Sequence, residues 1–71
     1  MGPDGARLRA VREAQGRTQA DVAAAIRYDQ SYLSRVERGL QRPSVDFLRA
    51  LSRELGLKDI AEAIDRVWSG K

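Results

Sequence analysis

The chain has 71 residues, with thirteen Lys and Arg, ten Asp and Glu, no His and no Cys. That length is enough for one small domain, 1–71, and it brings a modest positive charge. The missing Cys and His exclude a disulfide scaffold, thiolate zinc sites, thiol catalysis and any Ser-His-Asp triad. No apolar run approaches the roughly 20 residues that span a bilayer, and nothing at the start reads as a signal peptide. The expectation is a cytoplasmic module that is not an enzyme.

Eleven of the thirteen cations are Arg; only Lys58 and Lys71 are Lys. Arg presents a planar fork that grips a phosphate or a guanine edge with two bonds. A bias in genome base composition explains the same excess, so the position of the charge is more informative. Residues 58–71 carry three cations and three anions, which leaves the whole excess of three in residues 1–57.

Helix punctuation divides the chain into five short helices. Asp4 caps a first helix from about Gly5 to Gln15, with Leu8 and Val11 inward, and Gly16 ends it. Thr18 opens the second, with Asp21 three residues on as a shortened capping box and Val22, Ala23 and Ile26 as its apolar face. Asp29 caps the third, which carries Tyr32, Leu33 and Val36 and stops at Gly39. Leu40 to Pro43 form a loop, and Ser44 caps a fourth helix whose Phe47, Leu48, Leu51 and Leu55 repeat up to Gly56. A fifth, about 59–68, carries Ile60, Ala63, Ile64, Val67 and Trp68. No stretch alternates as a strand does, so the class is all-α. Two short helices, Gln19–Arg27 and Gln30–Arg38, lie either side of a tight turn, and the small Ala23 lets them cross closely.

These residues carry a resemblance. Leu8-Arg9-x-x-Arg12, Gly16-Arg17-Thr18-Gln19-x-x-Val22-Ala23 and Ser31-Tyr32-Leu33-Ser34-Arg35-Val36-Glu37-Arg38-Gly39 stand at set spacings. Arg42-Pro43-Ser44 and Leu48-x-x-Leu51-x-x-x-Leu55-Gly56-Leu57 continue the series. Together, over residues 8–57, they resemble the helix-turn-helix domain of the phage repressor and Cro (XRE-like) family. No single piece is specific; the joint spacing is. The resemblance implies a lambda-repressor-like fold, a compact five-helix bundle with a central helix-turn-helix, its core over residues 5–57. One departure stands out: the family places Gly at the turn where this chain has Arg27. A non-Gly residue at positive φ costs about 1 kcal/mol. Either the turn has shifted slightly, or Arg27 accepts the strain, as a tolerated cost or because its charge is useful near DNA.

In such domains the second helix of the pair enters the major groove with its N-terminal residues foremost. By resemblance, base contacts fall on Gln30, Ser31, Ser34 and Arg35. The chemistry agrees, since Gln can bond adenine N6 and N7, and Arg can bond guanine O6 and N7. Gln19 stands at a helix start, where unpaired N–H groups attract an anion. The family uses this Gln on a phosphate, and its amide is also placed to brace Gln30. Arg17, Arg38, Arg42, the N–H groups near Ser44 and the hydroxyl of a packed Tyr32 are the other phosphate candidates. The role of Tyr28 stays open. The family pairs Glu37 with an Arg of the first helix, here Arg12, as an internal salt bridge.

The family also commonly dimerises through its C-terminal helix. Leu57, Ile64, Val67 and Trp68 are therefore expected to divide between the core and a dimer interface, since so large an exposed apolar patch would be a liability. The reading that follows is a stand-alone homodimeric repressor-type transcriptional regulator on a palindromic double-stranded DNA operator. Its recognition helices would sit about 34 Å apart. No metal, cofactor or small-molecule ligand is expected. The same domain serves DNA-binding antitoxins and restriction–modification controller proteins. A helical protein-interaction module without DNA binding is the rival from another class.

Overall fold

The computed structural model describes residues 5–58. They form four α-helices: α1 Gly5–Ala14, α2 Gln19–Ile26, α3 Gln30–Glu37 and α4 Val45–Leu55. No strand occurs among the described residues. The fifth helix expected at about 59–68, with Ile64, Val67 and Trp68, lies outside them, as does the Asp4 cap.

Local chemistry sets where each helix starts. The Thr18 hydroxyl accepts from the Asp21 N–H at 3.0 Å, and the Ser44 hydroxyl accepts from the Phe47 N–H at 3.1 Å. Each satisfies one of the orphan donors of a first turn. Asp29 sits at the equivalent place before α3, but its side chain makes no cap bond.

The four helices all end in the same way. In each, an N–H two or three residues past the helix reaches back five positions to a carbonyl of the last turns: Arg17 to Arg12, Tyr28 to Ala23, Leu40 to Arg35, and Leu57 to Ser52. The preceding residue in each case bonds one carbonyl further on. This Schellman closure needs a left-handed residue at its centre, where Gly alone is free of penalty. Gly16, Gly39 and Gly56 fill three of the four. Arg27 fills the last, at φ 63° and ψ 42°. The turn has not shifted; the arginine carries the strain.

Helices of eight residues are too short to persist alone, since isolated ones need about 12–15 residues to become even marginal. Burial must hold them. Leu8 of α1, Val22 and Ala23 of α2, Leu33 and Val36 of α3, and Phe47, Leu48, Leu51 and Leu55 of α4 close on one core, with Leu57 behind them. Each fully buried Leu or Phe contributes about 1.5–3 kcal/mol relative to exposure. Phe47 is completely enclosed, and two tyrosine rings meet it edge-on. Tyr28 lies 4.9 Å away, centroid to centroid, and Tyr32 4.7 Å. These separations suit aromatic pairs. Both tyrosines thus fix the front of α3 against α4.

A second close approach joins the opposite ends of α1 and α3. A Cβ added at Gly5 would collide with the Val36 carbonyl and stand 2.9 Å from that of Glu37. Glycine here is a matter of space and not of torsion. Among the described residues one buried side-chain polar atom is left over: the hydroxyl of Ser52, on the buried face of α4, has no hydrogen-bond partner.

Candidate nucleic-acid interface

The outward side of α3 follows from its own periodicity. Leu33 and Val36 point into the core, so Gln30 and Ser31 are exposed and Ser34 and Arg35 are half-buried at its edge. These four side chains, with Gln19, Asp29 and Arg38, line an open hollow of about 520 Å³. All four residues assigned to base contact therefore share one concavity. Gln19 and Arg38, assigned to phosphates, stand on its walls.

Among the described residues, Arg35, Arg38 and Arg42 enter no ion pair. Their guanidinium donors are available to an incoming anion. Arg17 is placed differently. Its Nη2 donates to Glu54 Oε2 at 2.7 Å, which ties the α1–α2 turn to the end of α4. Nearby, Gln15 Nε2 donates to the Leu55 carbonyl at 2.7 Å. A phosphate that engaged Arg17 would share it with Glu54 or displace that carboxylate.

Ser44 and Tyr32 also have structural partners. The Ser44 N–H donates to the Tyr32 hydroxyl at 3.0 Å, and that hydroxyl donates to the Arg42 carbonyl at 3.5 Å. Tyr32 therefore fastens the loop that carries the exposed Arg42. With the Ser44 amide and hydroxyl both engaged, the open donors at the start of α4 are the N–H groups of Val45 and Asp46.

Behind the hollow lies a buried polar junction. Arg12 Nε donates to Glu37 Oε2 at 2.7 Å, and Arg12 Nη2 donates to Glu37 Oε1 at 3.0 Å. The third nitrogen, Nη1, donates to the Arg17 carbonyl at 2.8 Å. Gln19 Nε2 donates to the same Glu37 Oε1 at 2.9 Å. The brace from Gln19 thus runs to Glu37, at the far end of α3, and not to Gln30. The hydrogen bond to Glu37 raises the Arg12 pKa further above its already high value, against the opposing pull of burial.

Asp29 also lines the hollow, although the sequence marks it only as a helix cap, the commonest role for Asp before a helical run. Only the direction of its side chain shows that the cap bond is not made.

The model of the helix-turn-helix family matches residues 8–64. This chain belongs to that family. Within this helix-turn-helix, α2 and α3 are the two helices of the motif, with Arg27, Tyr28 and Asp29 as the turn. Two relatives, both called "Transcriptional regulator ClgR", come from two strains of Mycobacterium tuberculosis. Each is 42% identical over 50 residues, covering 70% of this chain and 45% of the relative. The chain therefore spans less than half the length of these curated relatives. No solved structure gives a significant match.

Proposed function

We propose that this chain is a sequence-specific double-stranded DNA-binding module of a transcriptional regulator, with α3 as its recognition helix. The observation that carries the reading is the hollow in front of α3. Gln30, Ser31, Ser34 and Arg35 line it together on one helix, the first two exposed and the other two half-buried at its edge. Gln30 and Arg35 supply the bidentate chemistry that distinguishes adenine and guanine. Gln19, Arg38 and Arg42 set the register by gripping phosphates, with Arg17, Ser44 and Tyr32 at the margins of that grip. Membership of the helix-turn-helix family and the two transcriptional regulators it resembles support the same assignment.

The module works as a homodimer on a near-palindromic operator. Two copies of α3 then lie one duplex turn apart, about 34 Å, in successive major grooves. Leu57 is buried in the core, and the residues that follow it, Ile64, Val67 and Trp68 above all, supply the contact between copies. On this reading 1–71 acts as one domain without catalysis, cofactor or small-molecule ligand. It works in the cytoplasm, where its operator is. No helix among the described residues is long and apolar enough to cross a membrane.

Selection from a pool of random duplexes at one fixed salt concentration tests the proposal. The expected result is an enriched site with two-fold symmetry and half-sites one turn apart. A pool that stays unenriched while a helical protein partner binds independently of salt would favour the protein-interaction reading instead.

A further inference from the structure

Asp29 stands at the entrance of α3 with a carboxylate that makes no hydrogen bond to the helix it precedes. Its backbone carbonyl accepts from the N–H groups of Tyr32 and Leu33, at 3.0 and 3.3 Å, so the helix starts properly. The side chain makes no cap bond, although capping is the usual reason for Asp at this place. It is exposed, and among the described residues no hydrogen bond or ion pair engages it. It lines the same hollow as Gln30, Ser31 and Arg35, and it is the one acid among the seven lining residues.

An unsatisfied negative charge beside a polyanion is unfavourable unless something in the groove rewards it. Major-groove chemistry offers one good partner. Guanine presents two acceptors at O6 and N7 and thymine one at O4, and all of these repel a carboxylate. Adenine offers its N6 amino group with the N7 acceptor beside it. Cytosine offers the N4 amino group with no acceptor of its own on that edge. An acceptor-only side chain therefore favours cytosine.

We infer that Asp29 is a specificity-determining residue that accepts a hydrogen bond from the N4 amino group of a cytosine in each half-site. The inference rests on the reading of α3 as the recognition helix. Arg35 lies six residues further on, roughly 9 Å along the chain at helical rise. The two side chains thus meet different base pairs, and their contributions can be separated by position.

Random-duplex selection with the wild type, Asp29→Ala and Asp29→Asn in parallel tests this directly. The wild type should enrich cytosine at one position per half-site. Asp29→Ala should lose that preference by about tenfold while every other position keeps its own. Asp29→Asn, which matches the carboxylate in size, should move the same position toward adenine, because a carboxamide pairs with N6 and N7 together. Circular dichroism should show full helicity for both variants, since no cap bond is removed. If both variants keep the wild-type site and bind every duplex more tightly, Asp29 is only a repulsive charge and the inference fails. A wild-type protein that enriches no site at all overturns instead the DNA-binding reading beneath it.

Discussion

Arg12 and Glu37 lie 25 positions apart in the chain and meet through two hydrogen bonds in the interior, with the Glu37 side chain almost wholly enclosed. Around this pair gather the α1–α2 turn, through the Arg17 carbonyl, and the start of α2, through Gln19. A buried charge that keeps its partner is tolerable; one that loses it is not.

Glu37→Ala should therefore cost about 3–5 kcal/mol, because it strips the buried guanidinium of Arg12 of its hydrogen-bonded carboxylate and leaves only the exposed Glu13, at 3.9 Å, as a counter-charge. A domain of this size has roughly 4–11 kcal/mol to lose. Urea denaturation should show a midpoint shifted far down or an unfolded chain. Replacing both partners together, Arg12→Met with Glu37→Leu, should recover much of that loss. A double variant no better than Glu37→Ala would argue that the surrounding hydrogen bonds, and not the stranded charge, hold the junction.

Arg27→Gly should raise stability by about 1 kcal/mol, since it removes the left-handed penalty at the end of α2. At 4–8 °C per kcal/mol for domains of this length, thermal denaturation resolves the change easily. An unchanged or lower midpoint would mean that Arg27 makes compensating contacts with its side chain.

Tyr32→Phe keeps the ring against Phe47 and removes only the hydroxyl shared by the Ser44 N–H and the Arg42 carbonyl. The expected cost is about 1 kcal/mol. Tyr32→Ala, which also loses the ring, should cost more, about 2–4 kcal/mol. Chemical denaturation of the two variants separates loop fastening from packing. Equal losses would show that the hydroxyl carries the whole effect.

Arg35→Ala and Arg42→Ala should differ in kind. Removing Arg35 should weaken the selected site by about 1–3 kcal/mol and relax one base position. Removing Arg42 should weaken all duplexes alike and flatten the dependence of affinity on salt by about one unit of slope. Affinities measured across a salt series distinguish the two. Identical behaviour of both variants would remove the division between reading and gripping.

The parts of this fold that sequence reveals are those set by neighbours in the chain. Thr18 and Ser44 cap because their hydroxyls reach an N–H three residues on, and Gly16, Gly39 and Gly56 stop helices because left-handed geometry is a local demand. The spacing of Leu8, Val22, Leu33 and Phe47 likewise marks inward faces without reference to their partners. What stays hidden is long-range. Arg17 reads as a free cation until Glu54 arrives from 37 positions away. The bond that the Tyr32 hydroxyl accepts from the Ser44 N–H, 12 positions on, appears only once the fold brings the two together. Asp29 misleads in the opposite sense, because it looks like a cap by type and place and makes no cap bond.

The two nitrogens that share Glu37 Oε1 have a mechanical consequence. On the proposed reading Gln19 belongs to the part of the protein that grips the sugar–phosphate rail, and Glu37 ends the helix that would face the bases. Joined through one atom, the handle and the reading head would then move together. When a duplex deviates from the ideal shape, a reader tied in this way would adjust little, and the cost of adjustment would fall on the DNA. Base pairs that no side chain touches would then influence affinity through how readily they twist or narrow.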